Sequence, residues 1–335
     1  MVKISEHPAL CDLHIHVGSS VAPHIMWSIA HQQGLRLPVK DYWEFVEMIT
    51  INENNVKSLD DYIRILHEWT ERIQSSPAAI ERSIYEIIGK EFRSSHVTQI
   101  EVRFNPMKRN LQGQRDLDHI IHAAIRGLDR ASLEYGVKAG LIFCMAREFE
   151  PEVNEIIVEK AIRYHNRGVV GIDVAGSESR TIELSDSLPF YVSLFERARA
   201  AGLGTTIHCG ETKHTAAAGM DAVIQNLKPD RIGHGVQCHL SEDTMKRLVD
   251  TDTVLEICPT SNLHTRAVNS LGDFHEILGK LDKQGVRYTI NTDGTYYCKT
   301  NLRREFAILQ EAGILTPQRA DQVRLEAFKA SFLSS

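Results

Sequence analysis

Apolar and β-branched residues gather in eight short runs along the chain: "LCDLHIH", "VTQIEVRF", "AGLIFCM", "VVGIDVA", "GTTIHC", "RIGHGV", "TVLEIC" and "VRYTINTD". Their length and composition predict strands. Between them, segments such as "ERSIYEIIGKEFRSS" and "LDHIIHAAIRGLDRASLEYG" place apolar residues three and four apart, the second closing on Gly, and predict helices. Strands alternating with helices imply a parallel sheet. Eight of them favour a closed (β/α)8 TIM barrel over an open doubly wound sheet, and no Gly-x-Gly-x-x-Gly turn supports the open form. The stretch from about 20 to 96 is too long for one crossover. It contains "PHIMWSIAHQQG" and "LDDYIRILHEWTERI", and predicts a helical insertion over one end of the barrel. No repeat, low-complexity tract or linker divides the chain, so residues 1–335 are expected to form a single domain.

Composition narrows the classes of function. With 335 residues, 42% hydrophobic and 24% charged, the chain can bury a large core. A net charge of −6 argues against a general nucleic-acid binder. No apolar run approaches the ~18 residues of a membrane span, and "MVKISEHPAL" lacks a signal-peptide core, so a cytoplasmic protein with no membrane partner is expected. Cys11, Cys144, Cys209, Cys238, Cys258 and Cys298 form no Cys-x-x-Cys pair, which fits reduced thiols. Oligomeric state is left open.

On this scaffold the polar residues become informative. His14 and His16 close the first run two positions apart, and alternate positions of a strand face one side. His208 closes the fifth run, His234 the sixth and Asp293 the eighth, all at the carboxyl ends where barrel enzymes place their chemistry. Three imidazoles and one carboxylate make a borderline nitrogen–oxygen site suited to zinc, with water completing the shell. Glu101 and Arg103 are expected not to face the barrel interior together, and their expected role is buried ion pairing. Cys258 reads as a small buried residue.

The ordered set "HIH", "EVRFNP", "GIDVAGSE", "HCGE", "RIGHG", "CPTSN" and "NTDG" resembles the adenosine deaminase branch of the amidohydrolase superfamily, from Asp12 to about Leu302. The resemblance implies hydrolytic deamination of a 6-aminopurine nucleoside or nucleotide. It implies His14, His16, His208 and Asp293 as zinc ligands, Glu211 as the proton-transfer carboxylate, and His234 as the residue that orients or stabilises the attacking hydroxide. Asp293 would also accept a water proton, and Gly176 would offer backbone hydrogen bonds to the purine. Two-metal sister branches carry a lysine at the end of the fourth strand; "GIDVAG" has none, so one zinc per chain is expected. Asp173 and Glu178 are candidates to anchor the loop of Gly176, and Ser261 and Asn262 to donate behind the site.

Three departures bear on the substrate. Gly18, followed by Ser19 and Ser20, stands where adenosine-specific members carry the aspartate that holds the ribose 5′-hydroxyl. Gly294 stands in place of a second aspartate that holds a purine ring nitrogen, and Arg266 in place of a glycine after "CPTSN". Losing two carboxylates and gaining a guanidinium favours an anionic ligand. The leading expectation is conversion of cyclic AMP to cyclic IMP, with the phosphate near Gly18, Ser19 and Ser20 and within reach of Arg266. The alternatives are 6-aminodeoxyfutalosine, then ordinary adenosine, and, from another class, a nucleotide sensor that has lost catalysis.

Overall fold

The computed structural model describes residues 8–51, 55–111 and 116–334. The eight runs form the strands β1 (Leu10–His16), β2 (Val97–Phe104), β3 (Lys138–Ala146), β4 (Val169–Ala175), β5 (Gly204–Cys209), β6 (Arg231–His234), β7 (Val254–Ile257) and β8 (Tyr288–Ile290). They are parallel and lie in sequence order in one sheet. Past the short β8, Asp293 bridges to Ile15 of β1, with His16 N to Asp293 O at 2.7 Å and Asp293 N to His14 O at 2.7 Å. The Asn291 Oδ1 atom accepts from Leu13 N at 3.0 Å and supplies a contact where the ladder has ended. The sheet is therefore drawn round into a (β/α)8 barrel, held shut by the segment that carries Asp293.

Helices cover the outside because their apolar stripes match the strands' outward Val and Ile side chains. Between β1 and β2 the chain makes helices at Val17–Ser20, Pro23–Gln32, Tyr42–Ile49 and Leu59–Ile65, then a π-helical turn at Leu66–Thr70. Pro77–Ser95 follows and packs beside Asp118–Tyr135 in the outer ring, so it is the barrel's own crossover helix rather than part of the insertion.

The barrel interior is charged, which corrects the expectation for Glu101 and Arg103. Two positions apart, they share a face, and both point inward with zero exposure. They do not pair with each other. Glu101 Oε2 accepts from Arg231 NH2 at 2.5 Å, Arg231 Nε donates to Glu256 Oε1 at 2.7 Å, and Arg103 donates to Glu256 Oε2 at 2.8 Å and Asp173 Oδ2 at 3.2 Å. Buried charges persist only when each is matched, and this chain of five runs up the barrel to the site.

Candidate active site

The strand-end residues converge. The His14 ring centroid lies 5.2 Å from that of His16, 4.6 Å from His208 and 4.8 Å from His234. His16 Nε2 is 3.0 Å from His208 Nε2, and Asp293 Oδ1 is 3.7 Å from His14 Nε2 and 3.5 Å from His16 Nε2. Asp293 and His234 hold left-handed backbone, φ 59° and 61°, at a cost of about 1–3 kcal/mol each. That turn stops β6 at His234 and lifts Asp293 over the mouth.

The charged interior sets the tautomers. His14 Nδ1 lies 2.8 Å from Glu256 Oε2, and His208 Nδ1 lies 3.1 Å from Asp173 Oδ1. Carboxylates accept, so each Nδ1 carries the proton and each Nε2 presents a lone pair to the shared centre. His14 Nε2 is buried and meets no hydrogen-bond partner among the described residues. Burial, then the Arg103 charge, holds His14 well below the ordinary imidazole pKa; burial, then His208, does the same for His16. Burial also opposes charge on His208, but Asp173 outweighs it and raises that pKa. His14 and His16, held neutral beside an unpartnered lone pair, with His14 and His208 backed by carboxylates, fit a divalent cation such as zinc, which would take the place of the proton that Asp173 favours on His208. His14, His16 and His208 form one ligand-capable group, and His14, His234 and Asp293 a second that overlaps it. Ser261 donates to Asp293 Oδ2 at 2.5 Å.

Glu211 sits just past β5, 2% exposed. Its Oε1 accepts from Thr265 Oγ1 at 2.8 Å, and its Oε2 lies 3.6 Å from His234 Nε2. Burial, then the Glu178 and Asp293 charges, pushes its carboxyl up to about 8, so it holds a proton at neutral pH. His234 is lowered by burial to about 4 and is neutral. The Asn262 amide nitrogen donates to His234 Nδ1 at 3.0 Å, which leaves the proton on Nε2, facing Glu211. A protonated carboxyl and a neutral N–H donor thus flank the histidine cluster.

Around them opens a cleft of about 730 Å³. The strand ends supply Glu211, His234 and Asp293, and Gly176, with φ 110°, lines another wall where a Cβ would stand 2.7 Å from Glu148. The insertion supplies Tyr62, Leu66, His67 and Glu71, and the loop after β2 supplies Lys108 and Arg109. Arg109 is 2% exposed; its NH1 is 2.9 Å from Glu71 Oε1, yet neither NH1 nor Nε meets a partner in hydrogen-bonding geometry among the described residues. His67 lies between Glu71 at 2.6 Å and Glu148 at 3.3 Å, and Lys108 pairs with Glu148. Burial disfavours the imidazolium of His67, but Glu148 and Glu71 prevail and raise its pKa.

The departures fall in different places. Gly18 lines the cleft, and a Cβ there would stand 2.8 Å from Leu66 and 3.4 Å from Arg109 NH2. Ser19 and Ser20 are buried and do not line it; Ser20 Oγ accepts from Thr295 N at 3.2 Å. Arg266 is not brought to Gly18. It is exposed, with φ 58° turning it outward, and lines a separate depression with Lys213 and His214. The cation beside Gly18 is Arg109, in "FNPMKRN", and its place just after a strand end was the available signal. Asp173 is also reassigned: it serves His208 and Arg103 inside the barrel, while Glu178 alone ties loops together, accepting from Glu211 N at 3.0 Å and Thr212 N at 2.6 Å.

The barrel, the histidine–carboxylate cluster at its carboxyl end and the protonated Glu211 define a hydrolase of the amidohydrolase type. The chain belongs to the adenosine deaminase family, which it matches over residues 9–335. It is 30% identical over 305 residues to an adenosine deaminase of Vibrio vulnificus, covering 91% of this chain and 88% of the relative. Among solved structures, an amidohydrolase from Burkholderia ambifaria with bound Zn superposes with a TM-score of 0.83 at 21% identity, covering 97% of this chain and 85% of that one. Arabidopsis ADAL complexed with IMP gives 0.80 at 22% identity, covering 99% and 94%. The chain is a hydrolytic deaminase. No helix among the described residues is long and apolar enough to cross a membrane.

Proposed function

We propose that the enzyme is a zinc-dependent deaminase of a 6-aminopurine nucleotide whose 5′ position carries an anionic group in place of a free hydroxyl, with cyclic AMP to cyclic IMP as the leading reaction. One zinc per chain would be held by His14, His16, His208 and Asp293 in a single domain spanning 1–335. When bound, zinc lowers the pKa of a coordinated water so that hydroxide is available near neutral pH. Glu211, protonated, donates to N1 of the purine and makes C6 electrophilic. The His234 Nε2–H faces the oxygen that gains charge at C6, and Asn262 keeps that proton in place. Water adds at C6, ammonia leaves, and the 6-oxopurine remains. Six free, buried cysteines support a reducing compartment such as the cytoplasm.

The observation that carries the substrate reading is Arg109 beside Gly18. A side chain at position 18 would press on the tip of Leu66, and a carboxylate there would neutralise the guanidinium; with glycine, Arg109 borders the cleft uncompensated from that side, so that a phosphate could accept from it. The nucleotide seen in Arabidopsis ADAL supports the same class of ligand. Plain adenosine remains the competing reading, favoured by the name of the Vibrio relative and by Glu71 and Glu148, which offer acceptors to hydroxyls. The test is kcat/KM for adenosine, cyclic AMP, methylthioadenosine and 6-aminodeoxyfutalosine, scored by ammonia release and the ultraviolet shift to the 6-oxo product. Cyclic AMP should exceed adenosine and neutral methylthioadenosine. Adenosine equalling the others would overturn the reading of Gly18.

A further inference from the structure

Tyr62 lies on the helix Leu59–Ile65, 4% exposed, and lines the same cleft as Glu211 and Asp293. Its ring meets that of Tyr297 edge-on at 5.3 Å, within a small apolar cluster that includes Ile65 and Cys298, so packing fixes where the hydroxyl points. That hydroxyl stands beside Asp293 and within reach of weak polar contacts with the Ser19 hydroxyl and the Cys298 thiol, but it meets no partner in good hydrogen-bonding geometry among the described residues. Phenylalanine would fill the same place without a stranded polar atom.

Gly294 explains how the hydroxyl gets there. Its φ is not in the left-handed region, so conformation does not demand glycine. Space does: a Cβ would stand 2.5 Å from the Tyr62 hydroxyl and 2.5 Å from Ser19 Oγ. Residue 294 follows Asp293, which bridges to β1, whereas Glu211 follows β5, the strand opposite β1 in an eight-stranded barrel. Tyr62 and Glu211 thus approach the histidine cluster from opposite sides. In a 6-aminopurine, C6 has N1 on one side and the C5–N7 edge on the other. With C6 over the cluster and N1 at Glu211, the ring edge on the Tyr62 side is N7, a hydrogen-bond acceptor.

We propose that the Tyr62 hydroxyl donates a hydrogen bond to N7 of the bound purine, through the room that Gly294 leaves, and so fixes how the base is turned at C6. The inference rests on the deaminase reading above. Tyr62 is a positioning and specificity-determining residue, supplied by the insertion and not by a strand end.

The test compares a 6-aminopurine substrate with its 7-deaza analogue in wild type, Tyr62→Phe and Gly294→Ala. Wild type should prefer the purine, and Tyr62→Phe should lose about three- to tenfold in kcat/KM on the purine and little on the analogue, so that the ratio collapses. Gly294→Ala, which pushes the hydroxyl away, should collapse the same ratio. Metal content should be unchanged in Tyr62→Phe. A ratio equal to that of wild type, or equal losses on both substrates, would overturn the assignment. Dissociation constants for the 6-oxo products, purine against 7-deaza, read the same contact without turnover. A wild type that releases no ammonia from any 6-aminopurine would sink the deaminase reading, while a changed binding ratio in Tyr62→Phe would still stand for Tyr62.

Discussion

Glu211→Gln separates proton transfer from packing, because the amide fills the same volume and its carbonyl can still accept from Thr265 at the 2.8 Å now occupied by Oε1. What it cannot do is deliver a proton to a ring nitrogen. General acid catalysis of this kind contributes about 10²–10⁴ in rate, roughly 3–5 kcal/mol of barrier. Stability should move the other way. Burial, with Glu178 and Asp293 nearby, raises the carboxyl from 4.5 to about 8. An acid whose folded pKa is raised contributes stability that is intact below 4.5 and is lost as pH climbs to about 8; across that window the loss is at most about 5 kcal/mol. A bound cation lowers that pKa and shrinks the loss. Chelated wild type and Glu211→Gln should therefore match near pH 4.5 and diverge toward pH 8, the variant being more stable. The assay is ammonia release across pH 6–9 with metal content measured on the same samples, beside denaturant unfolding of the chelated pair. The residual rate of Glu211→Gln should lack the alkaline fall that deprotonation imposes on wild type. A Gln variant with full metal and a rate within tenfold of wild type would remove Glu211 from the chemistry.

Other perturbations test the supporting contacts. Asp173→Asn frees His208 Nδ1 and one arm of Arg103, and should weaken metal binding about 10–100-fold by chelator competition, with little change if the carboxylate does not set the tautomer. Arg109→Ala should lower kcat/KM on cyclic AMP about 10–100-fold, the worth of a charge-assisted hydrogen bond, and on methylthioadenosine about threefold or less; equal losses would make Arg109 only a partner of Glu71. Metal removal should lower thermal stability, by about 4 kcal/mol relative to metal at a thousandfold excess over Kd, and an unchanged melting temperature would mean the histidine cluster is indifferent to the ion.

All eight strands were legible because each is a short β-rich run bounded by helical periodicity, and the strand-end histidines were legible because barrel strands aim their last residues at one place. Edges were less so: "RIGHGV" stops at His234, where His234 and Gly235 turn left-handed, and "VRYTINTD" stops at Ile290, beyond which the isolated bridge from Asp293 to Ile15 takes over from the ladder. Tyr62, His67 and Glu71 could not be read as site residues. Their helical spacing is that of an ordinary amphipathic segment, and no motif marks the π-helical turn that carries His67. Glu101 and Arg103 were legible as buried ion-pairing residues but not as joint residues of the interior: two positions apart they share a face, and that face carries charge because Arg231, Glu256 and Asp173 arrive from β6, β7 and β4 to match it.

The most direct measurement is a competition between adenosine and cyclic AMP at equal concentration in one reaction with the zinc-loaded enzyme, whose product ratio is the ratio of the two kcat/KM values. Cyclic IMP should form at least tenfold faster than inosine, as one charge-assisted contact at Arg109 requires. Inosine forming as fast or faster would contradict the claim that Gly18 and Arg109 select an anion.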